Sequence, residues 1–199
     1  MSIAPTRRRR SPETARTEAL AAARALLLEQ GPGALTLKAV GQRVGVTHAA
    51  LIHHFGSAEG LQTALMASMV RDLSAALDVA VERVKAGEAS GRLLVETVFE
   101  VFETGGAGKL AAWLAVTGDL GRLGAVREAF GDLIEALTRN FPGDEDLRAC
   151  ITRAVLFVTL NAFGDSVIGP VMHDMLGLPE GAARDLAIRL MPEIVRPRE

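Results

Sequence analysis

The chain has 199 residues, of which 49% are hydrophobic, with no Tyr, one Trp and eight Pro, so one or two domains with ample core are possible. Ala, Leu and Val recur at helical rather than alternating spacing, which predicts an all-α fold. The formal charge is −2 and Cys150 is the single cysteine, which excludes an intramolecular disulfide and a cysteine zinc cluster and predicts a reducing, cytoplasmic setting.

The overall charge hides an asymmetry. Residues 1–62 carry eight Lys/Arg against four Asp/Glu, net +4, and residues 63–199 carry fourteen against twenty, net −6. A basic head on an acidic body suits a head that meets phosphate, although the whole surplus of the head is the run Arg7, Arg8, Arg9 and Arg10. No apolar core follows that run, because Glu13, Arg16, Glu18 and Arg24 interrupt it, so a signal peptide is not expected. The longest strongly apolar stretch, Ala154–Gly164, is eleven residues, about half of the roughly 20 that span a bilayer. No membrane is therefore expected among the partners.

Residues 1–10, with Pro5 and the arginines, predict a basic arm that is disordered when free. It is either a solvated tail or a reach toward DNA backbone and minor groove. Ser11 caps and Pro12 opens a helix to Gln30, with Leu20, Ala23 and Leu27 as its buried stripe and Gly31-Pro32-Gly33 as its break.

Residues 37–44 place Leu37, Val40 and Val44 on one helical face, and Gly45 can take the left-handed conformation that ends such a helix. Thr47 can cap a second short helix whose Leu51 and Phe55 fall four apart on the side to be buried. His48, Ala49, Ala50, Ile52, His53 and His54 remain outward. Helix, glycine turn and helix is the helix-turn-helix layout, whose second helix enters the major groove of DNA. Ser57 then caps a long helix running to about Ala86, with Leu61, Leu65, Met69, Leu73, Leu77, Val81 and Val84 as its apolar repeat.

Thr36-Leu-Lys-Ala-Val, Gly45-Val-Thr, Leu51, His54-Phe55 and Ser57 through Leu61 together resemble the TetR (tetracycline-repressor-like) family of transcriptional regulators, over roughly residues 12–65. The resemblance implies a three-helix head at 11–60 and a helical regulatory and dimerisation body at 61–199. It implies phosphate contacts from Thr36 and Lys38, and groove-facing positions at Thr47, His48, Ala49 and Ala50, with His53 and His54 near backbone or base edges. Two positions depart from the family's usual pattern: Ile52 stands where Tyr is common and Ala58 where Lys is common, so two phosphate contacts are missing. The implied partners are a double-stranded DNA operator, a small-molecule inducer and a second copy of the chain.

In the body, apolar positions predict a helix over Leu93–Glu103, another around Leu110–Thr117, a connection from Gly118 to Gly124, and a third helix from Ala125 to Phe141. From about Asp144 a helix follows whose stretch Ala154–Phe163 is apolar on nearly every side, so it is expected to be covered both by its own core and by another subunit. Gly169-Pro170 should kink or end it. The last helix spans roughly Gly181–Met191 and Pro192 disturbs its end. Phe99, Phe102, Trp113, Leu114, Phe130, Phe157 and Met172, with Asn161 or His173 for polar contacts, are candidates to enclose a hydrophobic inducer. Ile151, Val155, Val158, Ala162, Leu186 and Leu190 are candidates for the dimer interface.

His48, His53 and His54 do not share one helix face and lack a carboxylate or Cys at ligand spacing, so no metal and no cofactor is expected. No phosphate loop or nucleophile motif is present, and an enzyme is not expected. A helical ligand-binding adaptor without DNA binding is the alternative function.

Overall fold

The computed structural model describes residues 12–117, 124–139 and 143–194. They are helical throughout: α1 Pro12–Gln30, a single 3₁₀ turn at Pro32–Ala34, α2 Leu37–Val44, α3 His48–Phe55, α4 Ala58–Lys85, α5 Arg92–Glu103, α6 Ala107–Thr117, α7 Gly124–Thr138, α8 Glu145–Leu176 and α9 Ala182–Ile194. The arginine run at 7–10 and the connection at 118–123 lie outside the described residues. The chain divides at Leu61/Gln62 into two compact units, a head and a body.

In the head, α1 packs on α2 and α2 on α3. Ala19, Ala23, Leu26 and Leu27 of α1 meet a core that also holds Leu35, Leu37, Val40, Leu51 and Phe55. Leu20 is only half-buried, because the stripe is centred one position earlier.

The body is built around α8, which contacts α5, α6, α7 and α9, while α9 also lies on α5. Its core gathers Leu65, Met69, Leu73, Val95, Phe99, Leu110, Leu133 and Val158. Gly108 is where α6 and α8 approach closely, since a Cβ there would run into the Ser166 side chain. Of the two outcomes expected at Gly169-Pro170, a kink or an end, the end is corrected. The helix runs 32 residues, from its Asp144 cap, which accepts the Leu147 N–H at 2.8 Å, to Gly177 in the left-handed conformation (φ 64°). A proline inside a helix removes one hydrogen bond and costs about 3 kcal/mol; a helix packed on four neighbours tolerates that.

With that length α8 also contains an 18-residue window of mean hydropathy 1.5, only 17% of it buried. By length and composition one helix among the described residues is therefore apolar enough to cross a bilayer, which the eleven-residue run alone did not indicate. Leu156, Leu160, Val167, Ile168, Val171 and Met175 are exposed along it.

Candidate nucleic-acid interface and body cavities

The turn between α2 and α3 is fixed by backbone chemistry on both sides. Thr36 sits in extended conformation before α2 and its hydroxyl accepts the Ala39 N–H at 3.1 Å. Gly45, at φ 70°, donates its N–H to the Gly41 carbonyl, and Val46 donates to the same oxygen at 3.1 Å. Two donors on one carbonyl close the helix and reverse the chain. Thr47 then repeats the capping geometry, accepting the Ala50 N–H at 3.2 Å.

Two glycines that periodicity alone does not single out make this turn and the α3–α4 junction possible. A Cβ on Gly41 would lie 2.9 Å from the Val46 carbonyl oxygen and 3.4 Å from Leu51 Cδ1, so the residue must be small for the turn to close over α2. A Cβ on Gly60 would collide with the Phe55 carbonyl oxygen, where α4 starts directly under the end of α3. A glycine inside an otherwise helical pattern is the available sequence signal for such close approach. Ser57 caps α4 by accepting the Gly60 N–H at 3.1 Å.

α3 buries Leu51 and Phe55, and its other residues are turned out. Thr36, Lys38, Thr47, His48, Ala49, Ile52 and His53 are exposed, and Ala50 and His54 are half-buried. Arg16 of α1 locks the end of α3: its guanidinium donates to the His54 carbonyl at 2.8 Å and lies 4.7 Å from the Phe55 ring centre. That contact joins residues 38 positions apart, and no periodicity announces it. Arg43 is occupied as well, donating two 2.6 Å hydrogen bonds to Glu29. Those bonds hold the Glu29 carboxyl below its ordinary range. Lys38, by contrast, makes no ion pair among the described residues.

A capped hydroxyl retains chemistry for a partner. Each threonine oxygen uses one lone pair on the helix N–H and keeps its O–H donor. Thr36, Lys38 and Thr47 thus offer donors of the kind that phosphate oxygens accept, while His48 and Ala49 stand on the first turn of α3, where a groove-inserted helix meets base edges.

Two apolar cavities lie among the described residues of the body. The first, about 260 Å³, includes Phe102, Leu114 and Phe130 in its wall, as expected of inducer-site candidates. The second, about 330 Å³, is walled in part by Ile151, Val155 and Val158. Those three were expected at a dimer interface; in the protomer Val158 is buried and Ile151 and Val155 are half-buried. Ala162 is also sealed in the protomer's own core, at 1% exposure. Of the interface candidates, Leu186 and Leu190 on α9 are the exposed ones.

The remaining ligand candidates line neither cavity. Phe99 is buried beneath the Arg184 guanidinium, 5.6 Å from its ring centre. Trp113 and Met172 are exposed. Phe157 is half-buried, and the Asn161 amide is turned back to donate to the Phe157 carbonyl at 2.8 Å. His173 lies 3.3 Å from Asp165 Oδ1, close enough to attract, but that oxygen has no hydrogen-bond partner. Burial pushes the Asp165 carboxyl up; His173 offsets part of this, Glu103 adds to it and Arg184 counters it.

Comparison with known families bears on the head. Residues 19–65 match the model of the family described as bacterial regulatory proteins, tetR family. Curated proteins gave no match. The matched segment contains α2, the Gly45 turn, α3 and the capped start of α4, the parts that carry the helix-turn-helix geometry. The head is therefore a DNA-binding domain of the tetR type, which supports a DNA-binding transcriptional regulator with an all-α body.

Proposed function

We propose that this regulator is a homodimeric repressor that leaves a near-palindromic operator when a hydrophobic small molecule occupies its body. The observation that carries the reading is the pairing of a doubly capped recognition helix, with His48 and Ala49 outward, and a body hollowed by two apolar cavities. Thr36 and Lys38 contact phosphate, Thr47, His48, Ala49 and Ala50 face the groove, and Ile52, His53 and His54 flank it; Arg7–Arg10 add sequence-independent attraction.

The exposed apolar face of α8, continued by Leu186 and Leu190 of α9, is covered by a second copy of the chain. A two-fold pair places two recognition helices about 34 Å apart, one turn of DNA, which makes the operator near-palindromic. The same face, covered in this way, needs no lipid, and the protein works in the cytoplasm. Inducer binding favours one arrangement of the body, and operator affinity falls by the difference in its binding to the two states.

Electrophoretic mobility shift with DNA from upstream of the protein's own gene tests the reading, with sedimentation of the complex to count subunits. A retarded band containing two protomers on one duplex is expected. Indifference to every duplex at low salt would transfer support to the adaptor reading, for which the exposed Ile52 in place of a polar residue on α3 is the supporting observation.

A further inference from the structure

We infer that the two body cavities form one elongated site for an uncharged apolar molecule that carries a single hydrogen-bonding oxygen near its middle, with the Thr159 hydroxyl as its anchor. The inference rests on the reading of the body as a small-molecule sensor and specifies what is sensed.

Both cavities share Leu73 of α4 and Thr159 of α8 in their walls. Along α4 the walls run from Met66 to Val81, and along α8 they run the opposite way, from Phe163 to Ile151. At 1.5 Å per residue the α4 wall alone is about 22 Å long, so the space follows the seam between the two helices. A long, thin ligand fits it.

No charged side chain lines either cavity, and Thr159 is the only polar side chain in both walls. A carboxylate or ammonium placed there would lose its hydration with no counter-charge in return, so a charged ligand is disfavoured. The state of the Thr159 hydroxyl is the second observation. Thr97, Thr104, Thr117, Thr138 and Thr152 each donate to the carbonyl four residues back, at 2.7 to 2.9 Å. Thr159, in the middle of α8, makes no hydrogen bond among the described residues. Its donor and acceptor are both available at the wall common to the two cavities, where they can meet a ketone, alcohol, ester or amide oxygen.

The test uses the full chain and three probes of equal carbon count: 6-undecanone, undecane and undecanoate, with binding read by calorimetry and by thermal shift. 6-Undecanone should bind, and undecanoate should bind at least about tenfold more weakly. Thr159→Val should weaken the ketone about two- to tenfold, the worth of one hydrogen bond, and leave undecane unchanged. Thr159→Ser should restore the ketone. Ala154→Trp, which fills the second cavity, should weaken both neutral probes while the protein keeps its helical circular dichroism. Equal binding of carboxylate and ketone, an unchanged ketone-to-undecane ratio in Thr159→Val, or no binding of any probe would overturn the inference. Failure of the sensor reading has a different signature: the ketone binds as expected and DNA affinity does not move.

Discussion

Thr36 and Thr47 each cap a helix, and in the proposed complex the same hydroxyl can serve a partner, since the oxygen that caps the helix still carries a proton to give. The neighbouring side chains divide the remaining labour. Replacing His48 with Ala should change preference at one base position, with a discrimination loss of about 1–3 kcal/mol, whereas Lys38→Ala should weaken all sequences alike and lower the salt slope by about 1. Competition binding against a randomised operator library at two salt concentrations separates these outcomes; a uniform loss for His48→Ala would remove that residue from base readout.

Asp165 supplies a second prediction at this scale. Its carboxyl is raised above 3.8, first by burial, against the partial opposition of His173. Between the ordinary value and the raised one, the folded chain holds a proton that the unfolded chain has released, so stability falls as pH rises through that window. Asp165→Asn should therefore be more stable than the parent at neutral pH, with the advantage vanishing below the ordinary carboxylate range. Melting temperatures across pH check it, and an advantage independent of pH would show that the charge is not the cause.

At the level of elements, the α3–α4 junction has little freedom. Ala is intrinsically better than Gly in a helix by about 1 kcal/mol, yet Gly60→Ala places its methyl against a backbone carbonyl that cannot turn aside. The collision should win, with a net loss of about 1–3 kcal/mol in chemical denaturation. A gain in stability would mean that α4 can start elsewhere. α8 presents the opposite case, an element whose outer face is apolar and unpaired within one protomer. Glu at Val171 and Met175 together should leave the fold intact and dissociate the proposed dimer, because like charges would face each other across its two-fold. Sedimentation velocity reads this directly, and a persistent dimer would move the interface away from this face.

For the molecule as a whole, the basic surplus of the head comes entirely from Arg7–Arg10. Deleting residues 1–10 should weaken binding to operator and random DNA by similar factors and flatten the dependence on salt, each lost phosphate contact lowering the slope by about 0.9. An unchanged slope would leave those arginines as a solvated tail. The repressor reading also requires that occupation of the body lower operator affinity, and that coupling must be reciprocal, so operator DNA should weaken ligand binding by the same factor.

The sequence by itself determined the helices, the two caps and the glycine turn of the head, because these depend on interactions within a few residues: Thr36 to Ala39, Thr47 to Ala50, Gly45 to Gly41. It also showed which side chains of α3 must be buried, since Leu51 and Phe55 are one turn apart. The body was less legible. Residues 151, 155 and 158 read equally well as an outer or an inner apolar face, and Phe99, Trp113 and Phe157 read as well for a cavity wall as Phe102 and Phe130. A helix that is apolar nearly all round carries no mark of which side meets its own core. Only the packing of α8 on α5, α6, α7 and α9 decided that, turning Val158 and Ala162 inward and leaving Leu156, Val171 and Met175 outside. Helix continuation through Pro170, the Arg16 contact to His54 and the isolated Thr159 hydroxyl were likewise settled by neighbours distant in the chain, whose identity no local pattern encodes.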